Sequence, residues 1–114
     1  MAKKRLLTEF GMGSSLRRQD YTQAAVRAVT NALWHNSINL AELFGRPKGD
    51  MLIDVEIGVA NPAAVDIAQI EAVFPYGQPV VHVVKGGLDI PRGDGGLPTV
   101  MANAAISVSF EMGT

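Results

Sequence analysis

The alternation of apolar and polar positions divides the chain into four strands and two helices. Leu6, Thr8 and Phe10 alternate with Arg5, Leu7 and Glu9, which predicts a first strand over about 5–10. The period then lengthens. Ala24, Ala25, Ala28, Val29, Ala32 and Leu33 share one helical stripe, opened by Asp20 with Gln23 three residues on, a capping-box spacing. Because that stripe is made of small residues, the helix can lie close against a sheet. Ile53, Val55, Ile57 and Val59 alternate with Leu52, Asp54, Glu56 and Gly58 in a second strand over about 51–59. Asn61-Pro62 supplies an N-cap and a proline at the first helical position, predicting a second helix to about Phe74, ended by Pro75-Tyr76-Gly77. A third strand covers Val80 to Lys85. A fourth, about Ala104 to Glu111, alternates Ile106, Val108 and Phe110 with Ser107, Ser109 and Glu111. Ile38 to Phe44 is compatible with one further helical turn before the loop of residues 45–50.

The order β-α-β-α-β-β implies an α/β (α+β) domain: a four-stranded, mostly antiparallel or mixed sheet with both helices on its apolar face. The opposite face would carry Glu9, Asp54, Glu56, Lys85, Ser107, Ser109 and Glu111. Two readings of it stand. It is wet, as one side of an antiparallel sheet often is. Alternatively, sheets from several subunits meet across it, with Leu7, Leu52, Val81 and Val83 breaking up its polarity. The segment from Gly86 to Thr99 is too long for a tight hairpin and suits a functional or oligomer-contacting loop.

Composition narrows the function classes. A length of 114 residues, 47% of them hydrophobic and 18% charged, is that of one folded domain over 1–114. Ten basic against eleven acidic residues, a net charge of -1, offer no broad attraction for nucleic acid or an anionic membrane. The lack of cysteine removes disulfides, thiolate catalysis and cysteine-ligated metal, and fits a reducing cytoplasm. Lys3-Lys4-Arg5 is followed by only two apolar residues before Thr8 and Glu9, unlike a signal peptide. No stretch approaches the roughly 20 apolar residues of a membrane span. A cytoplasmic, unexported protein is the expectation.

The same local pattern occurs twice: Thr8-Glu9-Phe10-Gly11 and Val55-Glu56-Ile57-Gly58 each run a strand through Glu and Gly toward a helix. After the first, Gly11-Met12-Gly13-Ser14-Ser15-Leu16-Arg17-Arg18-Gln19-Asp20 reads as a loop. Gly11 and Gly13 would allow close backbone approach, Ser14 and Ser15 offer hydroxyls, and the guanidinium groups of Arg17 and Arg18 suit a carboxylate or planar oxyanion. The nearby helix N-terminus favours negative charge. The run is neither a Rossmann fingerprint nor a Walker loop, and the arginines serve equally well as solvated charges. Glu9 and Glu56, equivalent in the repeat, could be neighbours. Two close carboxylates share a proton, bind a hard cation such as Mg²⁺, or pair with a cation such as Lys85 or Arg17. Lys85 as a base with Ser14, Ser15, Ser107 or Ser109 as nucleophile would make a serine–lysine arrangement. His35 and His82 form no metal-ligand spacing; His82 suits a hydrogen-bonded core or interface position. Asn103 is a buried anchor for the long loop or a ligand contact.

Glu9-Phe10-Gly11-Met12-Gly13, the run from Gln19 to Val29, Pro75-Tyr76-Gly77, Gly86-Gly87-Leu88 and Ala102-Asn103-Ala104-Ala105 together resemble a small family of uncharacterised conserved proteins with an N-terminal Gly-x-Gly-x-Asp-x-His-Gly motif. Aligned on Gly11 and Gly13, the motif's Asp falls on Ser15, its His on Arg17 and its last Gly on Arg18, so the resemblance implies an anion-gripping loop rather than a metal or acid–base role. The architecture is also similar to the repeating unit of cyanuric acid hydrolase and to the trimeric folds of reactive-imine deaminases and one class of chorismate mutase. That similarity implies a homotrimer with Ser14, Arg17 and Lys85 at its seams. The expected activity is binding of a small anionic or carbonyl-rich metabolite, with hydrolysis or isomerisation and no cofactor; the alternative is a noncatalytic subunit docked on a larger enzyme.

Overall fold

A computed structural model describes residues 2–16, 18–34, 48–74 and 77–112. Among them lie β1 (Ala2–Ser15), α1 (Tyr21–Trp34), β2 (Leu52–Val59), α2 (Ile67–Glu71), β3 (Gln78–Lys85), β4 (Leu88–Ile90) and β5 (Thr99–Met112). The expected mixed sheet with two helices is present. It has a fifth strand, β4, which the glycine-rich segment had concealed. β5 runs through the middle, antiparallel to β1 on one side and to β2 and then β4 on the other. β3 adds parallel to β2 and forms the second edge.

One face of this sheet is sealed. Ile53, Val55, Ile57 and Val59 of β2 and Val100, Ala102, Ala104, Ile106, Val108 and Phe110 of β5 are buried beneath the helix layer, as their alternation predicts. Each large aliphatic or aromatic side chain so covered contributes about 2 kcal/mol. The alanine stripe of α1, with Val29, lies over β1 and β5. Contact is so close because Gly11 and Gly13 stand directly below. A Cβ on Gly11 would come within 2.3 Å of the Ala28 carbonyl oxygen, and one on Gly13 within 2.3 Å of the Ala28 nitrogen.

Three expectations are corrected here. First, residues 11–15 are not a loop: they continue β1, and the two glycines serve close packing. Second, a register irregularity between Arg5 and Leu7 reverses the facing of β1. Leu7 and Glu9 lie opposite Val108 and Ile106 on the helix side, whereas Phe10 and Met12 lie opposite Ala105 and Asn103 on the open face. Val81, Val83 and Lys85, in register with Val55, Ile57 and Val59, also belong to the helix side. Third, the second helix is broken. Pro62–Ala64 forms a single 3-10 turn, and α2 begins only after Asp66, whose Oδ1 accepts the Ala68 amide at 3.1 Å. Thr22 of α1 holds the break, donating to the Ala64 carbonyl at 3.3 Å and accepting the Asp66 amide at 2.9 Å. The suggested turn at 38–44, His35, Pro75 and Tyr76 lie outside the described residues.

No helix among the described residues is long and apolar enough to cross a membrane. The open face is half charged and half apolar. At one end Lys3 reaches across β5 to pair with Asp54 at 2.6 Å, and Ser109 is buried between the flanking strands. Toward the other end Phe10 and Met12 are 70% and 57% exposed, with Leu88 and Ile90 of β4 exposed on the same face.

Candidate functional site

The turn from β1 into α1 brings several polar groups together. Ser15, the last residue of β1, points under the helix and its Oγ accepts the Asp20 amide at 3.2 Å. Asp20 in turn caps α1, its Oδ1 accepting the Gln23 amide at 2.9 Å. The capping box expected from the sequence is thus half made, with Ser15 taking the place of the reciprocal glutamine. A carboxylate already occupies the helix end, so the dipole is spent on Asp20 rather than left for a ligand.

The cations stand beside that cap. Ser15, Leu16, Arg18, Gln23 and Arg27 line a cleft of about 450 Å³. Arg27 Nη1 donates to the Ser14 carbonyl at 2.7 Å, and Asn31, one turn further on, accepts the Met12 amide at 2.9 Å. These two side chains cap the outer edge of β1 over 12–14 and deny it to another strand. Arg27 keeps its remaining N–H donors, and with the exposed Arg18 it gives the cleft two guanidinium groups suited to a planar anion.

On the inner side of the turn lies a buried network. Gln19 is held at φ +51°, a left-handed conformation that costs a non-glycine residue about 1 kcal/mol. Its Nε2 donates to the Tyr21 hydroxyl at 3.2 Å, and that hydroxyl donates to Asp89 Oδ2 on β4. The bond to Asp89, reinforced by burial, raises the Tyr21 hydroxyl above its ordinary pKa of 10.0. Asp89 Oδ1 is buried without a hydrogen-bond partner among the described residues.

A protein-family model described as a conserved hypothetical protein, Lin0512_fam, matches residues 5–108. The chain belongs to the Lin0512 family. A solved structure, an FtsZ-like protein of unknown function from Nostoc punctiforme PCC 73102, superposes with a TM-score of 0.85 at 33% identity, over 98% of this chain and 99% of that one. No curated protein matches. The expected membership of a family of uncharacterised conserved proteins holds at that level.

In this Lin0512-family chain the residues singled out by sequence fall into separate places. Ser15 and Arg18 meet in the cleft; Ser14 lies beside it on the open face, in register with Met101. Arg17 lies outside the described residues. Gly11 and Gly13 are covered by α1. Glu9 and Glu56 are not neighbours: β5 separates their strands, Glu9 faces the helix side opposite Ile106, and Glu56 is exposed on the open face opposite Ala105. Within one chain Glu9 and Glu56 therefore form no pair for Mg²⁺, and among the described residues no group of three potential metal ligands converges. Lys85 ends β3 at the far edge, three strand spacings or roughly 14 Å from β1, and on the helix side, so within one chain it meets neither Ser14 and Ser15 nor Ser107 and Ser109 on the open face of β5. Ser107 is bonded to Thr8, Oγ to Oγ1 at 3.0 Å. His82 is exposed beside Glu56 on the open face, and Asn103 is exposed there too, so it does not anchor the long loop from within.

Gln23, expected only as a cap partner, and Arg27 and Asn31, not singled out by the sequence, complete this edge. They recur every four residues along the flank of the small-residue stripe, a spacing that marks one line of a helix facing a strand edge. Asp89, hidden in a glycine-rich stretch, carried no such signal.

Proposed function

We propose that this protein is a cytoplasmic homo-oligomer that binds a small anionic or carbonyl-rich metabolite at a seam between subunits. The observation that carries the reading is the cleft at the β1 edge, where Arg18 and Arg27 face the same space as the Gln23 amide. Since Arg27 and Asn31 block strand addition there, a neighbour must meet this edge through side chains, which leaves room for a ligand. Met12, Asn103, Gly58 and Val84 follow one another in register across the sheet, so Lys85, the next residue of β3, stands about level with the end of β1 beside the cleft, at the opposite edge. A head-to-tail ring would bring the partner subunit's Lys85 to it, supplying the base that one chain holds too far away. The resemblance read from the sequence to the repeating unit of cyanuric acid hydrolase and to trimeric chorismate-mutase-like proteins, whose sites lie between subunits or repeats, supports the choice of a trimer and of cofactor-independent hydrolysis or isomerisation.

Mixing two variants tests this. Arg18→Ala and Lys85→Ala homo-oligomers should each lose the thermal stabilisation given by inorganic phosphate. Subunits exchanged between them in equal amounts should recover about a quarter of it, because one seam in four then carries both intact residues. No recovery in a confirmed mixed oligomer overturns the shared seam.

A second reading, a noncatalytic subunit docked on a larger enzyme, draws on the apolar end of the open face, where Phe10, Met12, Leu88 and Ile90 are exposed. Purification from native cells separates the two: a stoichiometric unrelated protein favours docking, and self-assembly alone favours the seam.

A further inference from the structure

Leu16 is the common wall of two cavities. On its outer side lies the Arg18–Arg27 cleft; round the edge of β1, on the open face, lies a hollow of about 260 Å³ lined by Met12, Ser14, Leu16, Ile90, Thr99 and Met101. Strand register explains the hollow. Ser14 lies opposite Met101, Met101 lies opposite Leu88, and Ile90 opposite Thr99, so β4 lays its apolar side chains along the same face as the end of β1. Polar groups are confined to the rim: the Ser14 hydroxyl, and the Thr99 hydroxyl, which already donates to the Leu16 carbonyl at 3.2 Å.

Leu16, Met12 and Ile90 are 61%, 57% and 47% exposed around this hollow, a concentration of wet apolar surface at a concavity. Small-molecule sites combine such walls with a few polar groups that fix orientation. Here the apolar and cationic parts are adjacent but chemically separate. We infer that the ligand is an amphipathic anion: a carboxylate or phosphate head held by Arg18 and Arg27, with an aliphatic chain or aromatic ring passing Leu16 into the Met12–Ile90–Met101 hollow. This inference rests on the anion reading of the cleft and adds the body of the ligand to it. The hollow, of about 260 Å³ and open to solvent, suits a short alkyl chain or a substituted phenyl ring. Two unbranched methionines let it adapt to either shape. A free inorganic anion leaves the hollow wet, and an uncharged hydrocarbon leaves both guanidinium groups unanswered.

Titration of the assembled protein with acetate, octanoate and octanol, followed by ligand-observed NMR, tests the inference. Octanoate should bind at least about tenfold more tightly than either acetate or octanol. Arg18→Ala should weaken acetate and octanoate together. Ile90→Asn, on an exposed strand position, should reduce the advantage of octanoate over acetate several-fold while leaving acetate binding unchanged. Equal affinities for acetate and octanoate would overturn the amphipathic ligand and leave the anion cleft standing. Equal affinities for octanol and octanoate would overturn it as well, because the head would then contribute nothing. Failure of acetate, octanoate and inorganic phosphate alike would remove the anion cleft and the inference with it.

Discussion

The β1–α1 and β2–α2 units carry the same triplet, glutamate, an apolar residue and glycine, and place it upside down relative to each other. In β1 the glycine faces the helix and Phe10 the open side; in β2 Ile57 faces the helix layer, and Glu56 and Gly58 the open side. A strand has a side-chain period of two, so one residue of offset exchanges its faces completely. The irregularity between Arg5 and Leu7 supplies that offset in β1, and the two helices explain why each setting is stable. The long α1 presses a row of alanines onto the strand and needs bare backbone beneath it. α2 is only five residues long, and branched side chains of β2 build the core on that side. Facing is decided by what lies on top, not by the triplet.

Replacing each glycine by alanine separates the units most sharply. In Gly11→Ala or Gly13→Ala the new methyl meets helix backbone at 2.3 Å, which no rotamer relieves, so α1 must lift off the sheet. The expected cost is about 3 kcal/mol or more, a fall in Tm of at least about 10 °C. In Gly58→Ala the nearest atom, Gly86 Cα, lies at 3.4 Å, an ordinary contact, and alanine suits a strand better than glycine. Its Tm should stay within about 3 °C of the parent. Similar losses in thermal melts of all three variants would mean that the glycines act through chain flexibility rather than through close approach.

Much of this contrast is written in the sequence, and its hidden part has physical causes. Ile53 to Val59 and Ile106 to Phe110 alternate without interruption, and the small-residue stripe from Ala24 to Ala32 has no competing period, so three elements and the layer they form are legible. Leu6-Leu7, by contrast, offers two adjacent apolar residues and conceals which one faces inward. Gly11-Met12-Gly13 is ambiguous because glycine serves a mobile loop and a crowded contact equally well. β4 is three residues among glycines and prolines, too short to show a period. For the site, Arg18 is legible as a cation beside a turn. Arg27 is not, since a helix arginine reads as a solvated charge until the edge of β1 is known to lie beneath it. Glu9 and Phe10 are placed on the wrong faces by assuming an unbroken register in β1, whereas Lys85 is misplaced because the valine run of β3 has no apolar–polar alternation to show its facing.

The caps sharpen the comparison at a smaller scale. Asp20 opens a helix of 14 residues and Asp66 one of five, and each carboxylate accepts one backbone amide at the first turn. Asp→Ala normally costs about 1 kcal/mol at such a position. Asp20 should exceed Asp66, because it caps a helix of 14 residues rather than five and sits in the turn that bears Arg18. Urea midpoints of Asp20→Ala and Asp66→Ala report the two costs. Phosphate stabilisation should fall only in Asp20→Ala; a loss confined to Asp66→Ala would place the ligand near the second unit.

The smallest effect belongs to a contact that only the first unit possesses, the reach of Tyr21 from α1 to Asp89 on β4. The bond to Asp89 and burial raise the folded-state pKa of the hydroxyl above 10.0, its unfolded value. Below about pH 10 both states keep the proton, and the contribution is fully present. As pH rises from there through the folded pKa, the unfolded state gives up its proton first, so rising pH favours unfolding and the contribution is lost. In Tyr21→Phe that step is missing. The stability advantage of the parent over this variant, measured by urea unfolding at pH about 8 and about 11, should therefore shrink at the higher value. An advantage that stayed constant would show that folding does not raise the pKa of this hydroxyl. Because β4 also bears Ile90, the same bond helps to hold one wall of the proposed ligand hollow, and octanoate affinity in Tyr21→Phe should fall with it while acetate affinity does not.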